Sequence, residues 1–220
     1  MSRAAEIAAN LAEVSSRIEA AARRAGRDPR TVTLVAVTKT KPLEDLLAAY
    51  EAGVRHFGEN RVQEAEAKFP NLPADAVRHL VGPVQSNKAN RAARVADVLH
   101  AVDSQDVARR LARAAANEGK RLAVYVEVNT GGEETKAGVA PAGAASLVAS
   151  VRALPELDLR GLMAIPPPGD TRPHFAALRA LATSLGLAGL SMGMSDDLEA
   201  AIEEGATVVR VGTALFGSRS

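Results

Sequence analysis

The sequence predicts an α/β protein: a single (β/α)8 barrel of the TIM type, preceded by an extra N-terminal helix. Eight short apolar runs alternate with stretches of helical periodicity, a pattern typical of parallel sheets. The length of 220 residues suits one such barrel. The residues directly after the apolar runs are polar or glycine at almost every turn, as expected where barrel strands end at a ligand site. A doubly wound open sheet is the alternative topology.

The N-terminal segment has apolar residues at Ile7, Leu11, Val14 and Ile18 with charged residues between them. This spacing predicts a helix that ends near Gly26. The predicted strands then follow at 32–38, 54–57, 77–81, 98–102, 122–128, 159–163, 190–192 and 207–211. The predicted helices between and after them occupy 43–52, 61–69, 87–96, 105–118, 141–153, 173–185 and 196–204. No long linker or break in composition divides the chain, so residues 1–220 are interpreted as one domain.

Composition excludes several classes of function. Lys and Arg total 27 against 26 Asp and Glu, so no overall charge attracts nucleic acid or an anionic membrane. The absence of cysteine excludes disulfides and thiolate metal sites, and together with the lack of a signal peptide it predicts a cytoplasmic protein. Only 3% of residues are aromatic, which gives no reason to expect an obligate dimer, and we expect a monomer. The four histidines (His56, His79, His100 and His174) lack metal-ligand spacing and are interpreted as packing or solvated residues.

Lys39 follows the first predicted strand, where α/β barrels place reactive groups. By strand alternation it shares a face with Val35 and Val37. An amine held against apolar walls loses hydration, which favours the neutral form that attacks an aldehyde. A solvated surface lysine is the alternative. Lys41 has the same parity, but it precedes Pro42 and should lie beyond the strand.

Two later loops favour an anion site. Ser195 precedes a predicted helix, and Gly212 ends the eighth strand and allows the backbone to approach a ligand. The loops after strands seven and eight are the usual phosphate site of a barrel. It is equally open whether Ser195 only caps the helix that follows it and Gly212 only ends its strand. A reactive lysine and a phosphate site together suggest that the ligand is a phosphorylated aldehyde. Pyridoxal 5′-phosphate (PLP) is the commonest cofactor of that kind.

The motifs of the chain closely resemble the pyridoxal phosphate homeostasis protein family (YggS/PROSC-like) over about residues 32–217. The motifs that carry the resemblance are Lys39-Thr-Lys-Pro42, Phe57-Gly-Glu-Asn60, Val62-Gln-Glu64, Gly82-Pro83 with Gln85-Ser-Asn-Lys88, Gly161-Leu-Met-Ala-Ile165, Met192-Gly-Met-Ser-Asp-Asp197 and Val209-Arg-Val-Gly-Thr-Ala-Leu-Phe-Gly217. The resemblance implies a barrel like the N-terminal domain of alanine racemase, with PLP held as a Schiff base on Lys39. It also implies that Ser195, Gly212 and Thr213 hold the phosphate, that Arg210 faces the pyridine nitrogen, and that Asn60 lies near the ring.

A carrier is favoured over a catalyst. An arginine facing the pyridine nitrogen donates a hydrogen bond and disfavours protonation of that nitrogen, so the ring is a weaker electron sink. A racemase also needs an acid or base on both faces of the substrate carbon, and neither Tyr50 nor Tyr125 is well placed. We therefore expect a carrier or buffer in vitamin B6 homeostasis, with PLP-dependent apoenzymes as recipients. The alternatives are a PLP-dependent racemase of low activity and a cofactor-free Schiff-base aldolase. The roles of Lys88 and Lys136 stay open.

Overall fold

The computed structural model describes residues 2–133 and 136–217, and its eight parallel strands close into a barrel in sequence order. The strands are β1 (Thr33–Val37), β2 (His56–Glu59), β3 (Val77–Leu80), β4 (Val98–Val102), β5 (Leu122–Glu127), β6 (Leu157–Met163), β7 (Gly189–Ser191) and β8 (Val208–Val211). Pairing of β1 with β8, in the register Val35 to Arg210, closes the sheet. The predicted barrel is therefore confirmed.

Helices follow the strands in the alternating order that the sequence predicts. They are α1 (Arg3–Arg24), α2 (Leu43–Glu51), α3 (Val62–Lys68), α4 (Ala89–Val95), α5 (Gln105–Asn117), α6 (Ala144–Arg152), α7 (Arg172–Ser184), α8 (Leu198–Glu203) and α9 (Thr213–Phe216). The helix α1 is the predicted N-terminal addition to the barrel. No helix in the described part of the chain combines the length and the apolarity that crossing a membrane requires.

Several predicted boundaries are wrong by two or three residues, and the second strand and the last predicted helix show the physical reason. The second strand begins at His56 rather than at residue 54, because Gly53, with φ 113°, and Val54 form the turn that ends α2. The N–H of Val54 donates to the carbonyl of Ala49 at 2.9 Å, and its side chain is buried in the core outside the barrel. The last predicted helix begins at Leu198 rather than at residue 196, because Asp197 turns its carboxylate back to the N–H of Met194 at 2.6 Å.

The apolar core lies mainly outside the strands, between the sheet and the surrounding helices. A smaller apolar cluster fills the inside of the barrel and consists of Val35, Val37, Val81, Ala101, Tyr125, Met163 and Val208. The alternation predicted for β1 is confirmed, since Val35 and Val37 face inward while Ala36 belongs to the outer core. Barrel interiors are ordinarily filled by branched aliphatic side chains. Here His79, His100 and Arg210 are also buried in the interior.

The helix α1 packs against α2, early in the chain, and against α8 and α9, late in the chain. Arg3 pairs with the buried Asp45 at 2.7 Å and donates to the carbonyl of Phe216. Arg17 pairs with Glu199 at 2.6 Å and donates to the carbonyl of Ser195 at 2.9 Å. Through these contacts the N-terminal helix supports the loops that follow β7 and β8.

Candidate functional site

A cavity of about 270 Å³ opens at the carboxyl end of the barrel. This is near the lower end of the range for small-ligand clefts, roughly 300 Å³. The structure brings all six predicted site residues to its wall: Lys39, Asn60, Ser195, Arg210, Gly212 and Thr213. Val37, Val81, Ile165 and Met194 supply apolar surface between them. The cavity therefore combines an amine, a guanidinium, a hydroxyl and exposed backbone within an apolar mouth.

Lys39 lies in a tight turn that starts where β1 ends. The N–H of Lys41 donates to the carbonyl of Thr38 at 3.0 Å, and Thr40 adopts a φ of 64°. A β-branched residue rarely adopts this left-handed conformation, which costs on the order of 1–3 kcal/mol. Two side chains of α3 hold the turn by hydrogen bonds. Glu64 accepts from the N–H of Thr40 at 3.0 Å, and Lys68 donates to the carbonyl of Thr38 at 2.9 Å. The strained turn is thus fixed by specific hydrogen bonds.

A buried ion pair anchors this support. Glu59 is fully buried on the outer face of β2 and accepts from Lys68 Nζ and from the Thr38 hydroxyl, each at 2.7 Å. Burial raises the pKa of Glu59, and the hydrogen bonds from Lys68 and Thr38 oppose that shift. Its Oε2 is buried and has no hydrogen-bond partner among the described residues. Removal of Lys68 would leave the charge of Glu59 buried without its cation.

The two neighbouring lysines have different surroundings. Lys39 is half-buried, and within the described ranges its ammonium makes no hydrogen bond or ion pair. Lys41 Nζ donates to the carbonyls of Phe216 and Gly217 at 3.1 and 3.3 Å, which ties it to the end of α9. Lys88 and Lys136 do not belong to the wall of the cavity, and Lys136 pairs with Glu133. Lys39 is therefore the lysine of the mouth whose amine is available to a ligand.

The turns after β7 and β8 present backbone donors to the cavity. Ser195 Oγ accepts from the N–H of Ala214 at 3.1 Å, which joins the two turns. No acceptor in the described part of the chain takes the N–H groups of Ser195, Asp196, Gly212 or Thr213. Backbone N–H groups that lack protein partners and converge on one place favour an anion. The arrangement could hold a phosphate, with the Ser195 hydroxyl as a further donor.

Two glycines allow the close packing that builds this wall. A side chain at Gly212 would lie 3.2 Å from the carbonyl oxygen of Val37, so the loop after β8 runs directly against the end of β1. A side chain at Gly82 would collide with the carbonyl of Asn60. Gly82 therefore lets the loop after β3 lie on the backbone of Asn60. The Asn60 side chain has no hydrogen-bond partner among the described residues and remains open to a ligand.

Arg210 is buried at the inner end of the cavity. Its Nη1 donates to Ser191 Oγ at 2.6 Å and its Nη2 to the carbonyl of Ala164 at 3.0 Å. Burial lowers the pKa of Arg210 to about 10, partly offset by the charge of Glu127, so the guanidinium is protonated at neutral pH. Its Nε donates to no described residue, so a cationic Nε–H donor, on a guanidinium held by the two other bonds, remains for a ligand.

Sequence reasoning missed Glu127, which lies at the end of β5 on the same face as Tyr125. Burial, with a contribution from the charge of Asp103, raises the pKa of Glu127 to about 7, and the charge of Arg210 opposes the shift. Its Oε2 is buried without a hydrogen-bond partner in the described ranges. Strand alternation on β5 could have identified it, since residues 123, 125 and 127 share the inner face.

Three of the four histidines contact one another, which their spacing in the sequence did not indicate. His56, His79 and His100 lie on consecutive strands and form a hydrogen-bonded row inside the barrel. His174 lies apart from them and contacts the carbonyl of Thr130. Their inward parity on β2 and β3 was readable from the sequence, but their contact depends on the register between strands.

Comparison with known proteins identifies related sequences of the same length. A family model described as the N-terminal domain of alanine racemase matches residues 9–220. The pyridoxal phosphate homeostasis protein of Pseudomonas aeruginosa is 50% identical over 222 residues, covering 97% of this chain and 96% of the relative. The pyridoxal phosphate homeostasis protein of Escherichia coli K12 is 43% identical over 227 residues, covering 97% of each.

Solved structures of related proteins have the same fold as this chain. PipY of Synechococcus elongatus PCC7942, solved with PLP bound, has a TM-score of 0.84 and 40% identity, covering 96% of this chain and 100% of that chain. An alanine racemase of Clostridium difficile 630 has a TM-score of 0.77 at 15% identity, covering 97% of this chain and 57% of that chain. The second likeness concerns the fold alone.

Proposed function

The chain belongs to the alanine racemase N-terminal domain family and, within it, to the pyridoxal phosphate homeostasis proteins, and we propose that it holds PLP as a Schiff base on Lys39. It binds PLP and acts in intracellular vitamin B6 homeostasis. Its relative PipY has been solved with PLP bound, and that chain matches this one over nearly its full length. The single observation that carries the assignment to Lys39 is that its unpaired amine and the unpaired backbone donors line the same cavity.

The residues of the cavity fit this cofactor. PLP supplies an aldehyde that condenses with a primary amine and releases water, together with a phosphate and a pyridine nitrogen. Ser195, Gly212 and Thr213 offer the hydroxyl and the free N–H groups that suit the phosphate. Arg210 offers a free Nε–H donor for the ring nitrogen. Asn60 lies at the same wall, where its amide can contact the ring.

A carrier is better supported than an enzyme. Arg210 is cationic at neutral pH and can only donate, so it disfavours protonation of the ring nitrogen and weakens the ring as an electron sink. Neither tyrosine lies in the cavity wall: Tyr50 donates to Asp75 at 2.5 Å, and Tyr125 stacks on His100. We propose a cytoplasmic monomer that passes PLP to PLP-dependent apoenzymes.

A PLP-dependent racemase of low activity is the second candidate, and Glu127 is the observation that favours it. A carboxyl with a pKa of about 7 inside the barrel could exchange a proton near neutral pH, although Glu127, like the two tyrosines, does not belong to the cavity wall. Deuterium exchange at the α-carbon of free amino acids, at an enzymatic rate that Glu127→Gln abolishes, would establish this candidate. If the protein binds PLP but catalyses no such exchange, the carrier function is the candidate that remains.

The assignment of Lys39 can be tested by spectroscopy, borohydride reduction and peptide mapping. We expect the purified protein with PLP to show Schiff-base absorbance, which Lys39→Ala loses and Lys41→Ala keeps. Trypsin does not cleave before Pro42, so the two lysines give different peptides. A reduced adduct on Lys39 blocks cleavage there and yields a labelled peptide of residues 31–55. An adduct on Lys41 yields a labelled peptide of residues 40–55 and would overturn the assignment.

A further inference from the structure

A continuous row of hydrogen-bonded side chains crosses the inside of the barrel. It begins at His56, the first residue of β2, and ends at Arg210 in the cavity wall. His56 Nδ1 lies 3.0 Å from His79 Nε2, and His79 Nδ1 lies 2.9 Å from His100 Nε2. His100 Nδ1 lies 2.8 Å from Ser191 Oγ, which accepts from Arg210 Nη1 at 2.6 Å. One chain of contacts thus joins the two ends of the barrel.

The donor direction of this row follows from Arg210. A guanidinium can only donate, so Ser191 Oγ accepts from it. Ser191 is fully buried, and His100 Nδ1 is the only described atom that can take its hydroxyl proton. The reverse direction would leave that proton buried without an acceptor, which is costly. His100 therefore donates from Nε2 to His79, and His79 donates from Nε2 to His56.

This direction requires three neutral imidazoles, each protonated on Nε2. Burial lowers the pKa of His79 to about 3, with a smaller effect from the neighbouring His56. Burial also lowers the pKa of His100 well below its ordinary value, and the charge of Arg210 contributes. His100 is further fixed by stacking on Tyr125, with ring centroids 4.9 Å apart. The pKa of His56, which lines a cleft at the amino-terminal end of the barrel, is likewise lowered by burial.

The row is not a metal site. Each nitrogen that faces a neighbouring ring is engaged in a hydrogen bond, so the imidazoles do not converge on a common point. No group of three or more potential metal ligands converges anywhere in residues 2–133 and 136–217. What the row provides is a buried acceptor for Arg210, polarised by successive hydrogen bonds.

We propose that Ser191, His100, His79 and His56 form a one-way hydrogen-bond relay that positions Arg210 and aims its Nε–H donor at the ring end of the cofactor site. The four are positioning residues, since they act on the cofactor through Arg210. Ala164 fixes one guanidinium nitrogen through its carbonyl and the relay fixes another, so the orientation of Nε is set by both. The proposal rests on the proposed function only for the identity of the ligand that Arg210 meets.

The relay itself can be tested without cofactor, by ¹⁵N NMR of the imidazole side chains at pH 7. We expect His56, His79 and His100 to be neutral and protonated on Nε2. Ser191→Ala should change the signals of His100 and His79, and Ser191→Thr should restore them. His174, which lies outside the row, serves as an internal reference for correct folding. A protonated His100, or a wild-type His100 that carries its proton on Nδ1, would overturn the relay.

The positioning role is tested with PLP. We expect Ser191→Ala to raise the Kd about tenfold, the loss of one charge-assisted hydrogen bond, and to shift the Schiff-base absorbance maximum. Ser191→Thr should recover both values, and the control His174→Gln should leave both unchanged. An unchanged Kd and spectrum in Ser191→Ala would refute the positioning role. A wild-type protein that forms no Schiff base would refute the proposed function instead, and the NMR result would still decide the relay.

Discussion

Replacing Glu127 by glutamine should stabilise the protein above pH 7, because its carboxylate is buried inside the barrel without a full set of partners. Its pKa is raised from 4.5 to about 7, chiefly by burial and also by the charge of Asp103. The side chain is nearly inaccessible, with 6% of the residue exposed, so solvent screening does not reduce the effect. The folded state therefore binds the proton more tightly than the unfolded state does.

The sign and size of the effect follow from this linkage. Wild-type stability is fully present below pH 4.5, falls as the pH rises from 4.5 to about 7, and stays reduced above that range. At about 1.4 kcal/mol per pH unit, the full loss amounts to ~3 kcal/mol. Glutamine has nearly the same shape and does not titrate, so Glu127→Gln should escape this loss.

Urea unfolding of the cofactor-free protein at several pH values measures the difference. The free energy of unfolding of Glu127→Gln, minus that of the wild type, should rise by about 2–3 kcal/mol between pH 5 and pH 8. Glu13→Gln, at an exposed position on α1, serves as the control and should show a nearly constant difference. A difference for Glu127→Gln that is independent of pH, or that favours the wild type at pH 8, would refute the reasoning.

Three further substitutions test the cavity wall and the turn that carries Lys39. Ser195→Ala removes a hydroxyl beside the free backbone donors, so the Kd for PLP, measured by ultraviolet-visible titration, should rise at least tenfold. Borohydride reduction should still label Lys39 in this variant. An unchanged Kd would show that Ser195 does not belong to the phosphate site. Lys68→Met leaves Glu59 buried without its cation, so the free energy of unfolding measured in urea should fall by about 3–5 kcal/mol. The double variant Lys68→Met/Glu59→Gln should recover most of this loss. A loss below about 1 kcal/mol would contradict the role of the pair. Thr40→Gly relieves the left-handed conformation and should raise the unfolding free energy by ~1 kcal/mol, whereas a clear loss would show that the turn is not strained.

Local patterns in the sequence were sufficient to predict the element types and the end of the barrel at which the cavity opens. The run of residues 32–38 has the alternation of a strand, and the structure places Val35 and Val37 inside the barrel accordingly. The spacing of eight such runs predicted the closed barrel, because each strand and helix pair is recognisable within its own segment. Glycine and polar residues after the strands identified one end as the mouth, since parallel strands all finish there.

Local patterns failed where an element boundary depends on a cap or a turn. Val54 is apolar and β-branched, yet it packs beneath α2 because Gly53 adopts a positive φ and turns the chain early. Asp197 is a good helix residue at a first turn, yet its carboxylate binds the N–H of Met194 and the helix starts after it. In both places a hydrogen bond to a nearby backbone group outweighs the periodicity of the side chains.

By itself, the sequence determined the order of strands and helices, the lysine at the end of the first strand and the glycines in the last two loops. Only the tertiary structure decided which side chains meet inside the barrel. His79 and His100 lie 21 residues apart and Ser191 a further 91, so their contact depends on strand register and closure of the sheet. The pKa of Glu127 and the orientation of Arg210 depend on that same closure, because burial and partners arise only when distant strands are brought together.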